Sequence, residues 1–213
     1  TIEKIASIVK GTIEGKGYPS LIIKDLLFDS RLLTSPGNTL FFSLKSNRNN
    51  GNKYIDELYN KGVRCFVVEE SLSSLYPLSH FIVVEDTLKA LQELAAHHRN
   101  NFFLPVIGIT GSNGKTIIKE WLYQILSPEM SVARSPKSYN SQIGVPMSVW
   151  QLNELHQAAI FEAGISRPGE MQNLEKIIRP TIGIFTNIGE AHGKNFDNIR
   201  HKVEEKLKLF LKV

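Results

Sequence analysis

Val106-Ile107-Gly108-Ile109-Thr110-Gly111-Ser112-Asn113-Gly114-Lys115-Thr116 is the stretch on which the reading of this chain turns. Apolar, β-favouring residues run up to Thr110, and beyond Thr116 the residues Trp121, Leu122, Ile125 and Leu126 recur at helical spacing. A strand therefore enters a glycine-rich turn and leaves it as a helix, the order of elements that opens a nucleotide-binding α/β domain. Gly111 and Gly114 let the backbone curl until several N–H groups and the helix N-terminus converge on one point. Such a cradle suits the phosphates of ATP. Lys115 adds a point charge at the β- and γ-phosphates, and the Thr116 hydroxyl is placed to ligate Mg2+. The six residues Gly111, Ser112, Asn113, Gly114, Lys115 and Thr116 are accordingly expected to hold the nucleotide. Ile109 stands where the general form of this loop has a glycine. Coordinates in which the stretch is extended, or its amides are taken by other protein groups, would defeat the expectation.

On both sides of the loop, short β-rich runs alternate with helical patterns, which predicts an α/β architecture with a mostly parallel sheet after the loop. Strands are expected at 21–28, 39–44, 65–69, 81–85, 106–110, 158–162 and 182–186. The clearest helix covers 87–98, with Thr87 as its cap and Leu88, Leu91, Leu94 and Ala95 on one face. It runs into Arg99-Asn100-Asn101 ahead of Pro105. A boundary near residue 101 follows, with a small first domain over 1–100 and a second over 101–213. Only three or four strands are expected after Pro105, fewer than a doubly wound nucleotide domain usually has, so the second domain is expected to be the first part of a longer one.

The bulk properties narrow the function classes. The 213 residues carry 25 Lys and Arg against 21 Asp and Glu, a net charge of +4, with the signs mixed along the chain. That balance favours small anions, but it lacks the concentrated basic stripe of a nucleic-acid binder. A hydrophobic content of 42% argues for a folded core and against disorder. No apolar run reaches membrane-spanning length, and residues 1–9 space their apolar members as an amphipathic helix does, unlike a signal peptide. Cys65 is the single cysteine and is followed by Phe66-Val67-Val68. It can form no intrachain disulfide and suits a buried thiol in a reducing cytoplasm.

The loop variant Thr110-Gly111-Ser112-Asn113-Gly114-Lys115-Thr116 resembles that of the Mur ligase family, ATP-dependent enzymes that build the peptide of bacterial cell-wall precursors. Further resemblances follow in order: Ser138-Tyr139-Asn140-Ser141-Gln142-Ile143-Gly144-Val145-Pro146, then Phe161-Glu162-Ala163-Gly164. Pro168-Gly169-Glu170-Met171, Arg179-Pro180 and Thr186-Asn187-Ile188-Gly189-Glu190-Ala191-His192 resemble the branch that adds D-alanyl-D-alanine. In the first half, Asp29-Ser30-Arg31, Leu40-Phe41-Phe42 and Asn50-Gly51-Asn52 are similar to that branch's uridine-nucleotide-binding domain. The motif set also resembles a variety fused to an alanine racemase, for which the length of the parent gene would decide.

The resemblance implies roles for single residues. Glu162 and His192 would hold Mg2+ together with Thr116, Asn187 would join the nucleotide site, and Asn140 would contact substrate. Ser30 and Arg31 would contact the uridine diphosphate, although Arg31 equally suits a structural salt bridge. Lys206 matches the lysine that is carbamylated in this family to support a second Mg2+. A helix with Ile199, Val203, Leu207 and Phe210 on its apolar stripe would put Lys206 at the stripe's margin. Taken alone, Glu162 fits a solvated strand end, His192 a surface histidine and Lys206 an ordinary solvated lysine. Two positions depart from the family's pattern: Ser141 replaces a frequent second asparagine, which puts that loop's hydrogen bonding in question, and Ala163 replaces a larger apolar residue.

As a whole the resemblance implies a ligase that joins D-alanyl-D-alanine to UDP-N-acetylmuramoyl-tripeptide through an acyl phosphate, with Lys115, His192 and Lys206 catalytic. Much of the adenine pocket and a third domain would lie outside these 213 residues, so the chain alone is expected to show little or no ligase activity. Two rivals stand beside this expectation. A folylpolyglutamate synthase relative would share the loop and prefer folate, and a non-catalytic module would bind nucleotide without turnover.

Overall fold

Thr39–Phe42 and Cys65–Val68 contain no polar alternation, and each becomes a strand buried along its whole length. That pattern belongs to parallel strands covered on both faces. The computed structural model describes residues 1–17, 21–46, 49–189 and 195–213. In chain order the strands are β1 (Thr12–Glu14), β2 (Asp25–Leu27), β3 (Thr39–Phe42), β4 (Lys45–Ser46), β5 (Asn49–Asn50), β6 (Cys65–Val68), β7 (His80–Val83), β8 (Val106–Thr110), β9 (Val132–Arg134), β10 (Ala158–Glu162) and β11 (Ile182–Phe185). The helices are α1 (Ile2–Ile8), α2 (Ile55–Asn60), α3 (Thr87–Arg99), α4 (Lys115–Leu126), α5 (Gly144–Val149), α6 (Glu170–Ile178) and α7 (Ile199–Leu207). The chain forms two compact units, Thr1–Leu94 and Ala95–Val213, divided within α3.

The first unit holds a five-stranded sheet in the order β1-β7-β6-β3-β2. Only the β1–β7 pair is antiparallel. Phe41, Phe66 and Phe81 from three adjacent strands pack with Ile55, Leu58 and Val63, and the Phe66 and Phe81 rings stack at 5.1 Å. Cys65 is buried in β6, and loss of hydration pushes its thiol pKa up to about 12. α1 buries Ile2, Ile5 and Ala6, as its apolar spacing predicts.

Two expectations need correction here, and four short strands were not expected. The strand expected at 21–28 is reduced to β2, because the Asn38 side chain donates to the Ile22 carbonyl and Ile22 stands exposed. β1, β9 and the β4–β5 hairpin are two or three residues long, too short to leave a periodic signal. The cap of α3 is Asp86, whose carboxylate accepts from the Lys89 amide at 2.9 Å. Thr87 instead turns inward, donating to the Ser43 carbonyl and the Glu69 carboxylate.

The second unit is built on an all-parallel sheet in the order β11-β8-β10-β9. Registry pairs Glu162 with Ile109 and Phe185 with Thr110, so β8, β10 and β11 end together at their carboxyl ends. In open α/β sheets this edge is where ligands bind. Behind it, Val106, Ala159, Phe161, Met171, Leu174 and Ile178 are part of one apolar cluster. Among the described residues no helix is long and apolar enough to cross a membrane.

Candidate functional site

The chain leaves β8 at Thr110 and turns sharply at Gly111, whose φ is 143°, and again at Gly114, whose φ is 80°. A methyl group on Gly111 would lie 2.0 Å from Thr186 Oγ1, so glycine is needed there for space as well as for conformation. Gly114 is the N-cap of α4, and among the described residues no side chain caps this helix. Among those residues the first-turn amides of α4 thus stay open to a further acceptor, at the positive end of the helix dipole.

The expectation for the loop amides is narrowed by Asn187. The Ser112 amide donates to the Asn187 carbonyl at 2.9 Å, and the Asn113 amide to Asn187 Oδ1 at 3.0 Å. Thr186 Oγ1 donates to the Asn113 carbonyl, and Ser112 Oγ exchanges hydrogen bonds with the backbone of Gly189. Residues 186–189 therefore clasp the front of the loop, and Asn187 occupies two amides that the sequence offered to phosphate. What stays available is the mouth of α4 at Gly114, Lys115 and Thr116.

Three ammonium groups border that mouth. Lys115 Nζ folds back onto the Gly111 carbonyl at 2.8 Å, and Lys206 Nζ reaches the same carbonyl at 3.1 Å from α7. Lys202, one turn earlier on α7, donates to the Gly189 carbonyl. Lys202 and Lys206 are almost wholly buried. Burial, with Lys115 and Lys202 nearby, pulls the pKa of Lys206 down to about 8. Burial also lowers Lys115, with Glu162 opposing the shift and Lys202 adding to it.

The apolar stripe expected for α7 is not its inner face. Ile199 and Leu207 are exposed at 59% and 44%, while Lys202, Glu205 and Lys206 are the buried residues of the helix. Lys202 was missed because hydrophobic periodicity has no term for a helix that packs against a polar loop. A run of lysines spaced i, i+4 on one helix after the loop was the available signal.

Glu162 ends β10 fully buried, its Oε2 accepting from Thr116 Oγ1 at 3.0 Å. Its Oε1 accepts no hydrogen bond, and the Lys119 ammonium lies 3.0 Å from it. Thr116 and Glu162 are thus brought together as the resemblance implied. A hydroxyl and a carboxylate are hard oxygen donors, and Oε2 lies against the Thr116 hydroxyl while Oε1 faces Lys119, so the pair suits Mg2+. Among the described residues no group of three or more His, Cys, Asp or Glu could hold a metal ion. Phosphate oxygens and water would complete the coordination, as is usual for Mg2+. His192 lies outside the described residues.

Asn140 sits in the loop before α5, with its carbonyl accepting from the Gly164 amide at 2.7 Å. Ser141 Oγ accepts from the Gly144 amide at 3.1 Å, so the serine at this departure from the family pattern caps the turn into α5. In the first unit, Ser30 is buried and donates to Glu57 Oε2 at 3.5 Å. Arg31 is exposed and forms a bidentate pair with Asp29 at 2.9 and 2.6 Å, its salt-bridge alternative.

Residues 109–213 match the Mur ligase middle domain. The chain is 32% identical over 209 residues to a Bacillus subtilis protein named UDP-N-acetylmuramoyl-tripeptide--D-alanyl-D-alanine ligase, covering 98% of this chain and 45% of the relative. Among solved structures it resembles MurF from Acinetobacter baumannii, with a TM-score of 0.91 and 30% identity, over 100% of this chain and 46% of that one. It also resembles the MurF ligase of Thermotoga maritima in complex with ADP, with a TM-score of 0.77 and 28% identity, over 90% and 44%. The chain thus spans about 45% of the length of the curated relative from Bacillus. With the middle-domain match and a superposition that covers all of this chain and 46% of a solved relative, the chain belongs to the Mur ligase family.

Proposed function

We propose that this chain supplies the nucleotide-handling front of an ATP- and Mg2+-dependent ligase that adds D-alanyl-D-alanine to UDP-N-acetylmuramoyl-tripeptide in the cytoplasm. Residues 1–100 would form the UDP-muramoyl-peptide-binding domain, through Ser30 and Arg31, and 101–213 the first part of the ATP-binding domain. The observation that carries this is the convergence of three ammonium groups and an uncapped helix mouth at the carboxyl edge of a parallel sheet. The names of the relatives supply the substrates, and the Thermotoga relative was solved in complex with ADP.

In the proposed reaction the tripeptide carboxylate oxygen attacks the γ-phosphorus of ATP, ADP leaves, and an acyl phosphate forms. The amine of D-alanyl-D-alanine then attacks the acyl carbon, loses a proton, and expels phosphate. Lys115 and Lys202 draw the phosphate chain onto the α4 amides, so the γ-phosphorus is held still and its charge is spread. Thr116 and Glu162 would hold Mg2+, which supplies further charge neutralisation at the phosphates. Burial keeps part of Lys206 neutral near pH 8, the form that carbamylation requires. Isothermal calorimetry tests the assignment: ATP with Mg2+ and, separately, UDP-muramoyl-tripeptide are each expected to bind this chain. Absence of ATP binding at millimolar concentration refutes it, and preference for a folate over the muramoyl peptide favours the folylpolyglutamate synthase alternative.

A further inference from the structure

Lys119 is the one wholly buried residue of α4, although it is charged. Its ammonium sits among four oxygens: the Ser135 carbonyl at 2.8 Å, the Lys137 carbonyl, Glu162 Oε1 at 3.0 Å and Glu120 Oε1 at 3.1 Å. The two carbonyls receive its hydrogen bonds, and the two carboxylates are balanced by its charge. Glu120 pairs in turn with Arg134, whose guanidinium lies 4.0 Å from the Tyr123 ring centre. Lys137 has a φ of 49°, an unfavourable backbone state for lysine, and its carbonyl is turned onto the ammonium.

The other side of Glu162 is held equally firmly. Its own amide donates to Ser135 Oγ at 3.3 Å, and Oε2 accepts from Thr116. The carboxylate therefore cannot rotate without breaking contacts to Thr116 or leaving the ammonium. A cation that took both oxygens at once would have to approach Oε1, where a positive charge is already in place.

From this arrangement we propose that Lys119 is a specificity-determining residue that confines Glu162 to one-oxygen coordination through Oε2, and so selects Mg2+ over Ca2+. Mg2+ accepts single carboxylate oxygens in a tight octahedral shell, whereas Ca2+ takes more ligands and often both oxygens of a carboxylate. The inference rests on the metal site proposed above. Its contribution is separate: Thr116 and Glu162 could bind a metal whether or not Lys119 sets which one.

The test is calorimetric titration of Mg2+ and of Ca2+ into the chain saturated with ADP, for wild type, Lys119→Met and Lys119→Gln. Binding of ADP in the presence of EDTA is a separate arm. Wild type is expected to prefer Mg2+ more strongly than free ADP does, and equal preference overturns the proposal without any variant. Variants that retain the wild-type circular dichroism spectrum are expected to lose about tenfold of the Mg2+/Ca2+ preference. An unchanged ratio overturns the proposal. In a Glu162→Gln background, Lys119→Met should leave the ratio unaltered, and a shift that persists there also overturns it. Failure of ADP to bind in the EDTA arm would instead strike the nucleotide site itself.

Discussion

Replacing Gly111 by alanine would set a methyl carbon 2.0 Å from Thr186 Oγ1 and 3.0 Å from the Asn187 carbonyl oxygen. Its φ of 143° is a conformation that side chains rarely adopt even in open space. Such backbone strain costs about 1–3 kcal/mol, and forcing a methyl group into filled space costs about 1–3 kcal/mol more. The sum, on the order of 2–6 kcal/mol, falls on the carbonyl that accepts from Lys115 and Lys206 and on the clasp made by Asn187. Gly114 supplies the internal comparison, since its φ is 80° but nothing lies within 4 Å of an added methyl. Only the left-handed penalty of about 1–2 kcal/mol applies there. At about 4 °C per kcal/mol for a domain of this size, Gly111→Ala is expected to lower Tm by roughly 8–24 °C and Gly114→Ala by roughly 4–8 °C. Thermal unfolding followed by circular dichroism measures both, with ATP affinity taken by calorimetry below either Tm. Equal losses in the two variants, or undiminished ATP affinity in Gly111→Ala, would refute the steric account of the loop.

Two further perturbations probe the ammonium cluster. Lys206 has a folded-state pKa of about 8 against an ordinary 10.5, so between those values the unfolded chain holds the extra proton. The penalty of the buried charge is fully present below pH 8, and stability rises from pH 8 to 10.5 by on the order of 3 kcal/mol. Urea unfolding should show this rise in wild type and not in Lys206→Met; parallel profiles would remove the buried-charge interpretation. Lys202→Met should weaken ATP by about tenfold or more, the worth of one charged hydrogen bond, while AMP is nearly unaffected. Calorimetry with both nucleotides checks it, and equal losses would mean that Lys202 acts on the fold instead of on the phosphate chain.

The loop was legible because its demands are local. Gly111 and Gly114 take positive φ, as residue type and spacing predict, whereas the meeting of Thr116 with Glu162 was implied by the resemblance alone. The buried strands were legible for a related reason: Leu40-Phe41-Phe42 and Cys65-Phe66-Val67-Val68 have no polar side to show. The face of α7 was misread because periodicity takes the apolar face for the inner one. The helix expected after the loop is present as α4, where Leu122 and Leu126 pack on the core, but no periodicity marks Lys119 as its wholly buried side chain. On α7 the buried set is Lys202, Glu205 and Lys206. Glu205 is engaged by Lys208 one turn on and by the Gly169 amide at 2.8 Å, the latter a contact from outside the sequence window. Arg31 was left open between two roles because its partner, Asp29, is also part of the motif that suggested substrate binding.

The polar inner face of α7 has a physical cause that bears on function. A chain gains nothing in stability by burying three ammonium groups near one another, two of them on a single carbonyl. Desolvation and mutual repulsion both act against the folded state, as the lowered pKa of Lys206 records. Local rules broken in this way concentrate where a site is held ready for a ligand. A phosphate chain would reverse each unfavourable contribution, since an anion at the α4 mouth favours the charged form of every neighbouring lysine. Binding should therefore raise the pKa of Lys206 and be accompanied by proton uptake near pH 8, because the free protein leaves that amine partly neutral. A cluster already ordered by Gly111 and Gly189 needs little rearrangement at that moment, so the electrostatic gain is spent on gripping the nucleotide and not on assembling the grip.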